Sequence, residues 1–277
     1  MLLFKVRFDP KGKQDKTDLE ESARWYISSL FHNGQACGEY FCFWNRGVLN
    51  AYVCLTGVNA HALRYHSKYG KKHLREIVET FGRAPEWIPL DGDTPKRNPS
   101  WSTAPLLYLY TTGLDWDPPV CRGDNGQPIP TYLLPVSHDI RDGLRSWASS
   151  YGDHDCVWLH SGTLEIPAYK ELVEPGSELS LCGRDLCRSI EEGTGIPTYY
   201  YLMRYWGRRK DESQRKCPGC GRKWRVSELS NEEKPFWEFD FRCDKCRLVS
   251  RDACDFEDER HARIGEYCSP RVKKSFK

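Results

Sequence analysis

Apolar and basic residues alternate along Leu2-Leu3-Phe4-Lys5-Val6-Arg7-Phe8, the period-two signature of a half-buried strand. Asp9-Pro10 and a polar loop follow. Thr17 with Glu20 then makes a capping box for a helix that runs through Trp25 to Leu30 and stops near Asn33-Gly34. Strands over 40–44 and 48–55 flank Asn45-Arg46-Gly47, a hairpin turn rich in residues that tolerate positive φ. A second helix is predicted over 62–81, ended by Gly82, and a strand near 86–90. After a loop rich in Pro, Asp and Ser, 106–110 looks like one more strand. The order β-α-β-β-α-β is that of the ferredoxin-like unit, in which two helices cover one face of an antiparallel sheet.

The chain reads as though it says this twice. Gly70 to Gly82 aligns without gaps to Gly183 to Gly195, with five of thirteen positions identical, including Arg75/Arg188, Ile77/Ile190 and Glu79/Glu192. Upstream, Cys42-Phe43-Trp44 leading to Gly47 is echoed by Cys156-Val157-Trp158 leading to Gly162. Pro85 and Pro197 follow the two helix-ending glycines at nearly equal distance. The fold class expected is therefore α+β: two tandem ferredoxin-like (βαββαβ) units followed by a C-terminal zinc ribbon. The first unit would span 1–114, a surface linker 115–128, the second unit 129–206, the ribbon 207–251 and a tail 252–277. Within the second unit, helices are expected over 139–150 and 178–192, and strands over 156–160 and 198–206. Gly207-Arg208-Arg209-Lys210 reads as a basic, flexible junction, and the tail starts acidic and ends basic at Lys273-Lys274.

The ribbon rests on Cys217, Cys220, Cys243 and Cys246, two CxxC pairs separated by twenty-two residues. Each pair has the spacing at which a tight turn aims two thiolates at one ion, so two turns complete a tetrahedron. Four sulfurs leave no open position for water, which points to one structural Zn2+ rather than a catalytic one; a rubredoxin-like iron site is the alternative. Gly221 can take the left-handed conformation such a turn needs. Trp224 and Val226 are placed on one short strand, and Trp237, Phe239 and Phe241 alternate with acids along another.

Thirteen cysteines include nine outside these pairs, scattered without a disulfide framework, and the amino terminus lacks the apolar core of a signal peptide. A reducing cytoplasm is the expected location, and no membrane span is expected. The net charge of +2 is unevenly spread: 204–251 carries fourteen Lys and Arg against eight Asp and Glu, so the remainder is net negative by four. Thiolates around a dication lower the local surplus to about four.

Three segments, Thr194 to Leu202, Cys217 to Gly221 and Phe239 to Leu248, resemble a bacterial family, the domain of unknown function 2310, described as zinc-ribbon-containing and as a candidate for nucleic-acid binding. The resemblance implies a zinc ribbon and carries over the four cysteines alone; it implies no activity.

Two functional classes remain open, with an enzyme third. In the first, single-stranded or structured nucleic acid is bound. Arg204, Arg208, Arg209, Lys210, Arg215, Lys216, Arg222, Lys223 and Arg225 would neutralise phosphates, while Trp206, Trp224 and Trp237 would stack on unpaired bases. The bland alternative makes those aromatics the ribbon's core and those charges a solvated face. In the second class the ribbon is a clamp in a protein-interaction protein, an immunity or regulatory partner. Against an enzyme, the chain has no P-loop, no G-x-S-x-G elbow and no H-E-x-x-H. His61, His66 and His73 on a helical stretch, and His154 with His160 on a predicted strand, read as structural histidines. Asp91 and Asp93, and Asp115 and Asp117, read as turn residues.

Overall fold

Alternate residues of β1 (Leu2–Phe8) are buried, Leu2, Phe4, Val6 and Phe8 on one side, as the period-two pattern requires. The computed structural model describes residues 1–12, 14–90, 97–226 and 239–268; Asp91, Asp93, Trp237, Lys273 and Lys274 lie outside them. β1 joins β2 (Ala36–Asn45), β3 (Val48–Leu55) and β4 (Glu86–Pro89) in an antiparallel sheet of order β2-β3-β1-β4. Helices α1 (Lys16–His32) and α2 (Lys68–Phe81) pack on it through Leu19, Ile27, Leu30, Ile77 and Phe81. This is the ferredoxin-like order expected for the first unit. Arg46 and Gly47 turn the β2–β3 hairpin with φ of 49° and 81°.

Two local details differ from expectation. Asp15, not Thr17, caps α1, its carboxylate accepting from the Thr17 amide at 2.7 Å. Helix α2 begins at Lys68 under a Ser67 cap, not near 62, because His66 is extended so that its ring meets Tyr26 Oη at 3.1 Å.

The second half overturns the tandem reading. Helix α3 (His138–His160) runs through the segment expected to break at 150 and re-form as a strand over 156–160. Leu144, Trp147, Tyr151, Asp155 and Trp158 are its buried residues, at the three- and four-residue spacing of one helical face. Gly152 does not end the helix, and opposite it Gly113 is the tight position, where a Cβ would stand 2.7 Å from Cys156 Sγ and 3.0 Å from Gly152 O. Cys42-Phe43-Trp44 is thus strand while Cys156-Val157-Trp158 is helix, so the echo is not structural. What Gly82 and Gly195 do share is a left-handed helix cap, at φ of 78° and 72°.

Helices α4 (Glu165–Val173) and α5 (Glu178–Thr194) follow, and with α3 they pack on a five-stranded sheet. Its strands β5 (Leu107–Leu109), β6 (Val120–Arg122), β7 (Thr198–Tyr201), β8 (Phe241–Cys243) and β9 (Leu248–Ser250) lie in the order β6-β5-β7-β9-β8. β5 to β7 and β7 to β9 are parallel. Residues 106–110, expected as one more strand within the span of the first unit, instead contribute β5 to the second sheet. The expected linker 115–128 holds β6, with Val120 fully buried; its Pro, Gly and Asp content serves the turns around that strand. Of the two expected ribbon strands, the one through Phe241 gives β8 at the edge of this sheet, while the 224–226 segment meets it in a single bridge, Arg225 to Phe241. One core extends from Leu144, Trp147 and Tyr169 through Tyr200 to Trp224, Phe241, Cys217 and Cys243.

Candidate metal centre and its basic surround

Two turns of the same design present the cysteines. In the first, the Gly221 amide donates to Cys217 O at 2.8 Å and the Cys217 amide to Arg222 O at 2.9 Å. Gly221 is required twice over: its φ is 71°, and a Cβ there would stand 2.7 Å from the Tyr267 ring. A Cβ on Gly219 would stand 2.9 Å from Cys246 Sγ, so that glycine lets the turns close on each other. The second turn joins β8 to β9 and places Arg247 in the left-handed position, at φ of 53°. That conformation costs a non-glycine residue roughly 1–2 kcal/mol. Arg247 is held there by Glu191 on α5, at 2.7 and 3.1 Å, and by Tyr199 Oη at 3.4 Å.

The four ligand atoms lie within 4.8 Å of one another, with Cys220 Sγ 3.6 Å from Cys243 Sγ. A tetrahedron with metal–sulfur bonds of ~2.3 Å has an edge of about 3.8 Å, so the geometry suits one ion. Burial drives the Cys217 thiol upward, and burial followed by the Cys220 thiol pushes Cys246 up to about 11. At Cys220 burial is outweighed by the Arg222 amide and the neighbouring thiols, which hold it down at about 7. Thiols this crowded ionise together when a cation neutralises them. The four cysteines could therefore hold a metal, and filling all four positions with sulfur leaves none for a reacting water.

The cations named from sequence divide sharply. Arg204 is buried, its guanidinium paired with both Glu212 oxygens at 2.9 Å and donating to Ile264 O at 3.2 Å. Arg215 is buried between Glu212 and the rings of Trp224 and Phe241, and burial brings it down to about 10. Trp206 and Trp224 are 5% and 3% exposed, the latter donating to Arg215 O at 2.9 Å. These four are largely buried, the two arginines showing only their edges to a 290 Å3 pocket they share with Arg208 and Lys216. Arg208 pairs with Glu266, Arg209 donates to Phe256 O at 3.1 Å, and Arg225 pairs with Asp252 at 3.0 and 3.1 Å. The junction 207–210 is accordingly tied down, with the Gly207 amide on Asp255 O at 2.7 Å. Lys210, Lys216, Arg222 and Lys223 remain exposed.

Sequence reading missed the cations that α5 brings to the metal turn. Arg184, Arg188, Lys245 and Arg247 line a 240 Å3 pocket against Cys246, with Asp185 as its single carboxylate. Arg184 and Arg188 lie far from the cysteines in sequence and carry no motif. The histidines are elsewhere: His66 is buried on Tyr26, His73 meets Glu76 at 2.7 Å, and His154 and His160 sit on α3, each facing a carbonyl four residues back. Among the described residues, no helix is long and apolar enough to cross a membrane.

Fold and site together define a mixed α+β protein with four cysteines gathered where they could hold one metal ion. Three family models match it, each described as a domain of unknown function: DUF8589 at 1–90, DUF2310 at 101–203 and DUF8594 at 207–256. Two uncharacterized proteins of Haemophilus influenzae are 37% and 36% identical to it over 161 residues, 57% of this chain. The alignments cover 58% of the first relative and 74% of the second. The chain belongs to the family of the second relative, and its own residues 101–203 are what the domain of unknown function 2310 matches. Among solved structures, an antibiotic biosynthesis monooxygenase covers 34% of the chain at 11% identity with a TM-score of 0.26. Rv0793 from Mycobacterium tuberculosis covers 34% at 14% identity with a TM-score of 0.25. Likenesses of that size carry no argument about fold or function.

Proposed function

We propose that a zinc ion closes the four-cysteine site and that the chain is a non-catalytic nucleic-acid-binding protein, its phosphate-holding surface the cationic rim of that site. The closed sulfur set favours a structural role, and thiolate ligands favour zinc. The observation that carries the reading is the pocket beside Cys246, lined by Arg184, Arg188, Lys245 and Arg247; Asp185 answers Arg188 and Glu191 answers Arg247, while Arg184 and Lys245 make no ion pair with the described residues. Exposed Lys216, Arg222 and Lys223 flank the same turns in sequence. The test is fluorescence anisotropy with a labelled oligonucleotide across a salt series. Log affinity should fall linearly with log salt, and Lys245→Gln with Arg188→Gln should shallow the slope by about 1 per phosphate contact removed. Binding that ignores salt, or none at low ionic strength, sinks the reading.

A protein partner is the second reading, favoured by a different observation. Leu63, Leu74 and Val78 line a 650 Å3 groove along α2, rimmed by Lys68, Lys71 and Arg75, the chemistry of a site for an acidic amphipathic segment. Capture that survives nuclease and is lost in Val78→Asp would favour it.

A further inference from the structure

The first sheet is covered on one side and open on the other. Strand register lays out the open side in rows, because residues directly opposite across strands share a face. One row runs Phe41, Tyr52, Lys5, Ile88 across β2, β3, β1 and β4; the next runs Phe43, Asn50, Arg7, Glu86. Phe41 is 63% and Tyr52 38% exposed, and Phe43 lies near-parallel to Tyr52 with ring centroids 5.2 Å apart. The cluster is therefore three aromatic rings on an antiparallel sheet, beside a lysine on its central strand.

We propose that this face is a stacking platform for single-stranded nucleic acid, with Phe41, Phe43 and Tyr52 receiving bases and Lys5 a phosphate. The class of ligand rests on the function proposed above; the site shares no residue with the rim of the metal centre. Charge chooses the occupant. Arg7 is answered by Glu86 at 3.1 Å and Asp9 at 3.2 Å, whereas among the described residues Lys5 makes no ion pair, and its row neighbours are Tyr52 and Ile88. A second copy packed face to face would bury two such ammonium groups, and the carboxylate on these rows, Glu86, is already taken; burying unpaired charge is costly. An anion with flat apolar faces satisfies ring and ammonium together, and a four-stranded sheet that stacks unpaired bases on aromatic residues is a known solution to that problem.

The experiment uses the full zinc-loaded chain and a fluorescein-labelled oligouridylate, with duplex RNA of equal length as control. Phe41→Ala and Tyr52→Ala should each weaken oligouridylate binding about ten- to a hundredfold, while Phe41→Trp retains it. Lys5→Gln should shallow the salt slope by about 1. Because Phe41 and Tyr52 are exposed, their variants should unfold at the parent's temperature. If the ring variants bind like the parent while Lys245→Gln with Arg188→Gln loses affinity, the platform is wrong and the metal-rim reading stands. No binding at low salt by any form overturns both. A dimer that Phe41→Ala dissolves, without oligouridylate binding, makes a second copy the occupant and overturns the platform.

Discussion

The two sheets solve the same problem with different means. In the first, strands of seven, ten, eight and four residues pair antiparallel, and one buried face carries the fold. The second has no strand longer than four residues among those described, and its two parallel junctions join segments far apart in sequence. So little ladder per strand has to be supplemented. Helices α3, α4 and α5 cover one side, a cluster of Tyr108, Tyr199, Tyr201 and Phe239 the other, and the cysteine turns pin the β8–β9 edge to the same core. Longer strands make a self-sufficient sheet, and shorter ones make a sheet that needs a staple.

The largest effect expected is therefore at the metal. Cys243→Ser, or chelation, should remove a large part of the ~10–16 kcal/mol that zinc contributes to folding in small modules. The loss should spread beyond the cysteine turns, because Cys217 and Cys243 lie in the core shared with Tyr200 and Trp147. Hydrogen exchange should show the Val249 and Tyr200 amides losing protection while Val6 and Val53 keep theirs. Equal loss in both sheets would erase the distinction.

Next comes the buried ion network of the second half. Glu212 faces Arg204 at 2.9 Å and Arg215 at 3.1 Å. Glu212→Gln leaves two buried guanidiniums short of a carboxylate and should cost about 3–5 kcal/mol. Burial works to raise the Glu212 carboxyl, but Arg204 and the Arg208 amide outweigh it and hold it below the ordinary value of 4.5. A depressed folded pKa gives stability that is complete above the unfolded value and lost as pH falls through the folded one. Acid titration below pH 4.5 should weaken the parent more steeply than Glu212→Gln, the other lowered carboxyls, such as Asp244 and Asp124, titrating in both. The smaller effect sharpens the contrast from the other side: Leu30→Ala, fully buried on α1, should cost about 2–4 kcal/mol and leave the bound metal at full stoichiometry.

The first sheet was legible because its signals are local. Period-two alternation marks β1, the Arg46-Gly47 turn fixes the β2–β3 register, and Gly82 ends α2. The cysteine pairs were legible for the same reason, since ligand spacing is written within each turn. The second sheet was not. A run such as Cys156 to His160 suits helix or strand equally until its neighbours are known, and three-residue strands paired across long separations leave no periodic trace. Nor could sequence show that Arg204 and Arg215 are core, because their burial depends on Glu212, Glu266 and the returning segment around Ile264.

The parallel pairing of β7 has a consequence for synthesis. β7 meets β5 through Leu107 and Thr198, but its other side is met by β9 through Tyr200 and Leu248, much later in the chain. At about 5–20 residues per second, the bare edge of Thr198-Tyr199-Tyr200-Tyr201 waits roughly 2–10 s for its partner on a translating ribosome. An aromatic strand edge left open is a template for joining other nascent chains. On the zinc reading proposed above, ion capture at Cys243 and Cys246, the turn that joins β8 to β9, would coincide with the closing of this edge.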